Sequence, residues 1–226
     1  MKIEDARQIP IKECGERLEV LSGDEFVCEP VYFRRGLSSD ARIRLRSGVV
    51  ARLRRAQRHL PQGWNFKIWD GMRTLDTQRQ LFEEICGQLS RGHRDWTTQQ
   101  VHDAAVVFIT PPSADPCTVP PHTSGGAVDL TLVDADGSEV AMGTPFDDFT
   151  PRAHIDSLRE IDEEMHRHRL LLKQALEEEG FTNYPDEWWH YDYGNQLWAI
   201  NLQKPYAFYG SAERIESQGK NQAQEV

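Results

Sequence analysis

The 226-residue chain has little cysteine: four residues, Cys14, Cys28, Cys86 and Cys117, with no C-x-x-C pair. That spacing excludes a paired-thiol zinc or redox centre, and the reading it favours is free, mostly buried thiols. In an exported protein the same four could form two disulfides, in three connectivities. No apolar run approaches the ~18 residues a membrane helix needs, and Met1-Lys2-Ile3-Glu4-Asp5-Ala6-Arg7 has no apolar stretch behind its charges, so a cytoplasmic protein without a membrane partner is expected. Positive charge is also short. Against 36 Asp and Glu stand 26 Lys and Arg, a net charge of −10 that repels phosphate backbones and argues against a nucleic-acid partner. The exception is Arg34 to Arg58, with nine arginines against the single acid Asp40, but apolar residues interleave with them and the stretch reads as the solvated face of an amphipathic helix. Glycine shows no period of three, and 38% hydrophobic residues suffice for one large core, so collagen-like and wholly disordered chains are excluded.

What is present reads as one catalytic-sized domain, residues 1–210, and a polar tail, 211–226, too poor in apolar surface to fold alone. Residues 1–37 carry only weak strand signals. Ser38-Ser39-Asp40 can cap a helix whose apolar positions Val49, Val50, Leu53, Ala56 and Leu60 end at Pro61. Trp64 to Trp69 alternates like a strand. A second helix is expected after Leu75, capped by Asp76 or Thr77, and a third over 97–108, capped by Thr97 or Thr98. Five prolines between Thr110 and Pro121 predict an extended loop. Ala127 to Leu132 reads as a strand, Ile155 to Glu179 as a long helix stopped by Gly180, and Asp186 to Tyr193 as an aromatic strand. Interspersed helices and strands predict an α+β fold, with helices packed on one side of a mainly antiparallel central sheet.

Three groups of residues can carry chemistry. In His122-Thr-Ser-Gly-Gly-Ala-Val-Asp129 a fully extended chain would hold the His and Asp about 23 Å apart. Two ligands of one zinc must lie within about 4 Å, so joint ligation requires the chain to reverse, which paired glycines permit. A hairpin with an incidental His and Asp fits the same residues. In Glu187-Trp-Trp-His190, a regular strand would point Glu187 and His190 to opposite sides, so one of them needs a bulge or turn, and Pro185-Asp186 favours Glu187 at an irregular start. A carboxylate near a metal-bound His commonly serves as a base, while a packed core strand explains the same tryptophans. Arg73, at the end of the Trp64–Trp69 strand, can face an oxyanion or close a salt bridge with Asp70 or Asp76. None of the other six histidines is assigned to metal, and His166 and His168 are expected in solvent.

Taken together, Trp69-Asp-Gly-Met-Arg73, His122-Thr-Ser-Gly-Gly-Ala-Val-Asp129-Leu-Thr-Leu, Met142-Gly-Thr-Pro-Phe-Asp147 and Glu187-Trp-Trp-His190-Tyr resemble the D-alanyl-D-alanine dipeptidases, the VanX-like branch of the zinc D,D-peptidases, over roughly residues 15 to 205. The resemblance implies that His122, Asp129 and His190 bind one Zn²⁺ per chain, that Glu187 is the catalytic base, that Arg73 stabilises the transition state, and that Asp147 holds the amino terminus of a small dipeptide substrate. Two imidazoles and one carboxylate leave zinc an open position for water, in keeping with that chemistry.

Three positions depart from the family pattern. Pro120 stands where a serine commonly helps hold the dipeptide, Val20 aligns with a substrate-contacting tyrosine, and Thr74 replaces the proline after the site arginine. Loss of polar anchors should alter which dipeptide fits. Two other readings share the motif: a peptidoglycan-trimming D,D- or L,D-carboxypeptidase or endopeptidase, and a homologue that binds zinc and peptide without turnover.

Overall fold

The computed structural model describes residues 3–215. Its strands are β1 (Leu18–Val20), β2 (Val27–Cys28), β3 (Arg44–Arg46), β4 (Asn65–Asp70), β5 (Ala127–Val133), β6 (Thr182–Asn183) and β7 (His190–Asp192). Its helices are α1 (Ile3–Ala6), α2 (Val31–Arg34), α3 (Ser47–Ala56), α4 (Leu75–Gly92), α5 (Thr98–Phe108), α6 (Glu163–Glu177) and α7 (Gln196–Asn201). A five-stranded sheet runs β2-β4-β5-β7-β6, antiparallel except for the β2–β4 pair, and β1 and β3 form a separate antiparallel ribbon. This is the expected α+β architecture.

β5 is the centre of the sheet, and all seven of its residues are buried. Val128, Leu130 and Leu132 enter one hydrophobic core with Phe66 and Ile68 of β4, Val49, Val50 and Leu53 of α3, and Leu172 and Leu176 of α6. Each such side chain contributes about 1.5–3 kcal/mol on burial, enough to hold the alternating residues Ala127, Asp129 and Thr131 on the other face. The apolar face therefore sets the register of the polar one.

Several elements begin elsewhere than the local pattern predicts. The helix expected from Ser38 starts at Ser47. The Asp40 carboxylate instead accepts the backbone N–H of Arg42, residues 44–46 pair with β1, and Glu16 supplies the acceptor for the Gly48 N–H in the first turn of α3. The helix expected from Ile155 starts at Glu163, where Asp162 accepts the Met165 N–H; the segment before it is held as turns, with the Ile155 N–H bonded to Pro185 O. Leu158 is buried from that segment, while Ile161 is exposed. α4 is capped by Thr74, not Asp76 or Thr77, whereas Thr97 caps α5 in a reciprocal box with Gln100. Of the strand expected over Asp186–Tyr193, only His190–Asp192 pairs.

Side-chain expectations are corrected as well. The four cysteines are free, but Cys14 and Cys117 are exposed and the other two half-buried. Arg46 is fully buried, and Arg54 is paired with Glu19 and Glu25, so the arginine stretch cross-links the fold rather than coating one helix face. His166 is buried. The polar tail expected from Ser211 lies, from residue 216 on, outside the described residues, while Ala212 is buried. Among the described residues no helix is long and apolar enough to cross a membrane.

Candidate metal centre

The sheet brings three polar residues into one row. Across β5 and β7, Asp129 is registered with His190, and across a bulge in β4 it is registered with Asp70. Cross-strand partners share a face, so three side chains from positions 70, 129 and 190 meet on the polar side. His122 arrives from a short 3-10 turn, His122–Ser124, that Gly125 ends in the left-handed conformation (φ 72°). A Cβ on the next residue, Gly126, would stand 2.3 Å from the Tyr193 carbonyl oxygen, so this close approach to the β7 end requires glycine. The chain reversal required for joint ligation is thus present.

One donor atom from each of His122, Asp129 and His190 lies within 4.8 Å of the others, and all three residues are buried. His122 Nε2 is 3.3 Å from Asp129 Oδ2, and His190 Nδ1 is 3.0 Å from Asp129 Oδ1. The far ring nitrogens are engaged elsewhere: His122 Nδ1 is 2.8 Å from the Gly71 carbonyl oxygen, and His190 Nε2 is 3.2 Å from Asp192 Oδ1. The Gly71 carbonyl favours the His122 tautomer that leaves a lone pair on Nε2 facing the cluster, and the Asp192 carboxylate stands at ion-pair distance behind His190.

Burial opposes ionisation of Asp129, but the two imidazoles overcome it and hold the carboxyl well below its ordinary range. Burial likewise disfavours an imidazolium at His190, yet Asp192 and Asp129 push its pKa well above the usual histidine value. Two imidazoles and a carboxylate at this spacing fit a divalent ion such as zinc.

Glu187 sits in the turn that precedes β7, its N–H bonded to Tyr184 O, while the Asn183 amide donates to both the Glu187 and His190 carbonyls. The irregular start expected for Glu187 is what turns it to the same side as His190, with Oε2 3.9 Å from His190 Nδ1. Burial pushes its carboxyl up to about 8; Asp129 and Asp147 add to the shift, and His190 and Arg73 oppose it.

Arg73 both closes the salt bridge and reaches the site. Its Nε and Nη2 donate to Asp70 Oδ2 at 2.9 and 2.6 Å, Nη1 donates to Gln78 Oε1 at 3.0 Å, and Nη2 is 3.7 Å from Asp129 Oδ2. Gln78 is anchored in turn by the Thr110 carbonyl.

Asp147 is on a loop, in the left-handed region (φ 59°) that a non-glycine residue rarely occupies. Phe146 stacks on Trp69 and the Trp188 indole N–H donates to Thr144 Oγ1, so the Met142–Asp147 segment is clamped against the aromatic core. The Asp147 carboxylate accepts the Tyr32 hydroxyl at 3.1 and 3.2 Å and Arg35 Nη1 at 2.9 Å. Burial, reinforced by Asp129, raises its pKa to about 6 against the lowering by Arg73, Arg35 and the Tyr32 hydroxyl.

All six expected residues line one cleft, with Tyr32, Phe108, Phe149 and Trp189 among its walls. Val20 is exposed on β1 and does not line it, whereas Tyr32 and Tyr184 do. Pro120 is buried beside the His122 turn, and Thr74 caps α4. Sequence reasoning missed Tyr32, Arg35, Gln78 and Asp192. Only Asp192, two residues past His190, carried a local signal, as an acid flanking a candidate ligand.

The family model described as D-ala-D-ala dipeptidase matches residues 26–210. A D-alanyl-D-alanine dipeptidase of Synechocystis sp. is 31% identical over 91% of this chain and 95% of its own length. The enzyme of the same name from Escherichia coli is 37% identical over 31% of this chain and 36% of its own. A solved structure of VanYB in complex with D-Alanine-D-Alanine is similar at a TM-score of 0.48 and 18% identity, over 83% of this chain and 82% of that one.

Proposed function

The chain belongs to the D-ala-D-ala dipeptidase family of peptidases, and from that premise we propose that it is a zinc-dependent hydrolase of D-Ala-D-Ala or a similarly small dipeptide. The observation that carries this reading is the buried set of donors on His122, Asp129 and His190, within 4.8 Å of one another, at the floor of a cleft that also presents Glu187 and Arg73.

When bound by those three residues, zinc supplies Lewis-acid chemistry and makes water more acidic. Glu187 takes the proton of the attacking water and passes it to the departing amine. Arg73 stays charged throughout and offsets negative charge developing on the carbonyl oxygen; Asp70 and Gln78 hold its guanidinium in place before substrate arrives. Asp147 receives the substrate's ammonium. The aromatic walls exclude water, which strengthens each of these interactions.

The test is release of free D-alanine from D-Ala-D-Ala by purified protein of measured zinc content, beside a Glu187→Ala control. Zinc near one per chain with hydrolysis lost in the control is the expected result. Zinc without hydrolysis of any small D,D- or L,D-dipeptide would leave a binding protein, and cleavage of a muropeptide but not the free dipeptide would favour a wall-trimming peptidase.

A further inference from the structure

The amino end of the cleft holds a cation of its own. Arg35, just past α2, places Nη1 2.9 Å from Asp147 Oδ2 and Nη2 2.9 Å from Glu84 Oε2 of α4, so one guanidinium bridges the Asp147 carboxylate and a second acid. Its face lies over the Tyr32 ring, 5.4 Å from the centroid, and Arg73 lies over the same ring at 4.8 Å. The charged and titratable groups acting on Asp147 include Tyr32 and Arg35 from the α2 segment, Arg73 from the loop after β4, Asp129 from β5, and Glu187 from the turn before β7. Among the described residues Asp147 Oδ1 accepts only the Tyr32 hydroxyl, so it keeps acceptor capacity, while Oδ2 is already ion-paired.

We propose that Arg35, braced by Glu84, is a specificity-determining residue: by sharing the charge of Asp147, it lets the cleft accept peptides whose amino group is acylated as well as free dipeptides. The inference rests on the peptidase reading above and on Asp147 as the amine-binding group. A substrate ammonium in contact with Asp147 lies roughly twice as far from the Arg35 guanidinium as from the carboxylate, so by the inverse-distance law Arg35 cancels about half of the attraction. An amide N–H needs only an acceptor and loses little from that cancellation. Glu84 restores part of the negative charge at longer range, so the amino end is partly balanced rather than neutral.

The experiment compares kcat/KM at pH 7.5 for D-Ala-D-Ala and N-acetyl-D-Ala-D-Ala, using the full zinc-loaded chain of the wild type and of Arg35→Gln, Arg35→Lys and Glu84→Gln. Loss of shape affects both peptides, whereas loss of charge changes their ratio. Wild type should cleave both peptides, and the free-to-acetylated ratio should rise about fivefold to tenfold in Arg35→Gln, with solvent screening of this half-exposed pair limiting the gain. It should stay within about twofold in Arg35→Lys and fall about twofold in Glu84→Gln, a second variant that leaves Arg35 in place. An unchanged or lowered ratio in Arg35→Gln, or a raised one in Glu84→Gln, overturns the proposal, as does a wild type that cleaves only the free dipeptide. Cleavage of neither peptide by the wild type overturns the peptidase reading and this inference with it.

Discussion

The floor and the amino end of the cleft are built in opposite ways. His122, Asp129 and His190 have relative exposures of 5, 3 and 6%, and the latter two are locked in strand register. Asp147 stands on a loop in a left-handed conformation, and its partner Arg35 has a side chain 36% exposed. On the proposed function the difference divides the labour: the sheet fixes the atoms that must converge within a few ångströms, while the loop carries the groups proposed to choose among substrates.

Substitutions should separate the two regions, beginning at the floor. Glu187→Gln should lower kcat by about 10²–10⁴ while leaving zinc content intact, because the side chain lies beside the donor set and not in it. Loss of zinc in that variant would show that Glu187 is a ligand. One step outward, Asp192→Ala removes the carboxylate that stands 3.2 Å behind His190 Nε2 and should weaken zinc affinity about 10–100-fold, measured by competition with a chelator. An unchanged affinity would mean that strand register alone orients the imidazole. At the amino end, Asp147→Asn should raise KM for the free dipeptide about tenfold with kcat little changed, since it removes one charged contact to the substrate.

The last variant also has a pH signature. Asp147, raised to about 6 by burial and then by Asp129, is ionised above that pH and protonated below it. As pH falls through about 6 it loses its attraction for an ammonium, so the ratio of free to acetylated dipeptide turnover should drop there in the wild type. The ratio should stay level in Asp147→Asn, and an identical drop in both proteins would assign the titration to another group.

How much of this was legible in the sequence follows the same division. The floor was readable because its residues lie within short motifs: the Gly-Gly reversal between His122 and Asp129, and the Pro-Asp that breaks the strand before Glu187. The resemblance to a known family joined those motifs across the chain. Even so, the partner that steadies His122, the Gly71 carbonyl, is a backbone atom with no sequence signature. The amino end was only partly readable, since Tyr32 and Arg35 meet Asp147 across more than 100 residues and nothing local to them predicts that contact. Arg35 was submerged in an arginine-rich stretch that reads as a solvated helix face. The element boundaries failed for a related reason. Ser38-Ser39-Asp40 is a sound helix cap locally, but pairing of β3 with β1 and the reach of Glu16 to the Gly48 N–H override it.

The central claim is that three side chains from two strands and one turn form a single metal cage, and metal content tests it most directly. Purified wild-type protein should hold close to one zinc per chain, His122→Ala should lose most of it, and His154→Ala, whose ring nitrogen lies 3.9 Å from Asp186 on the surface, should keep it. Equal zinc loss in the two histidine variants, or a wild type that takes up no zinc, would contradict the account.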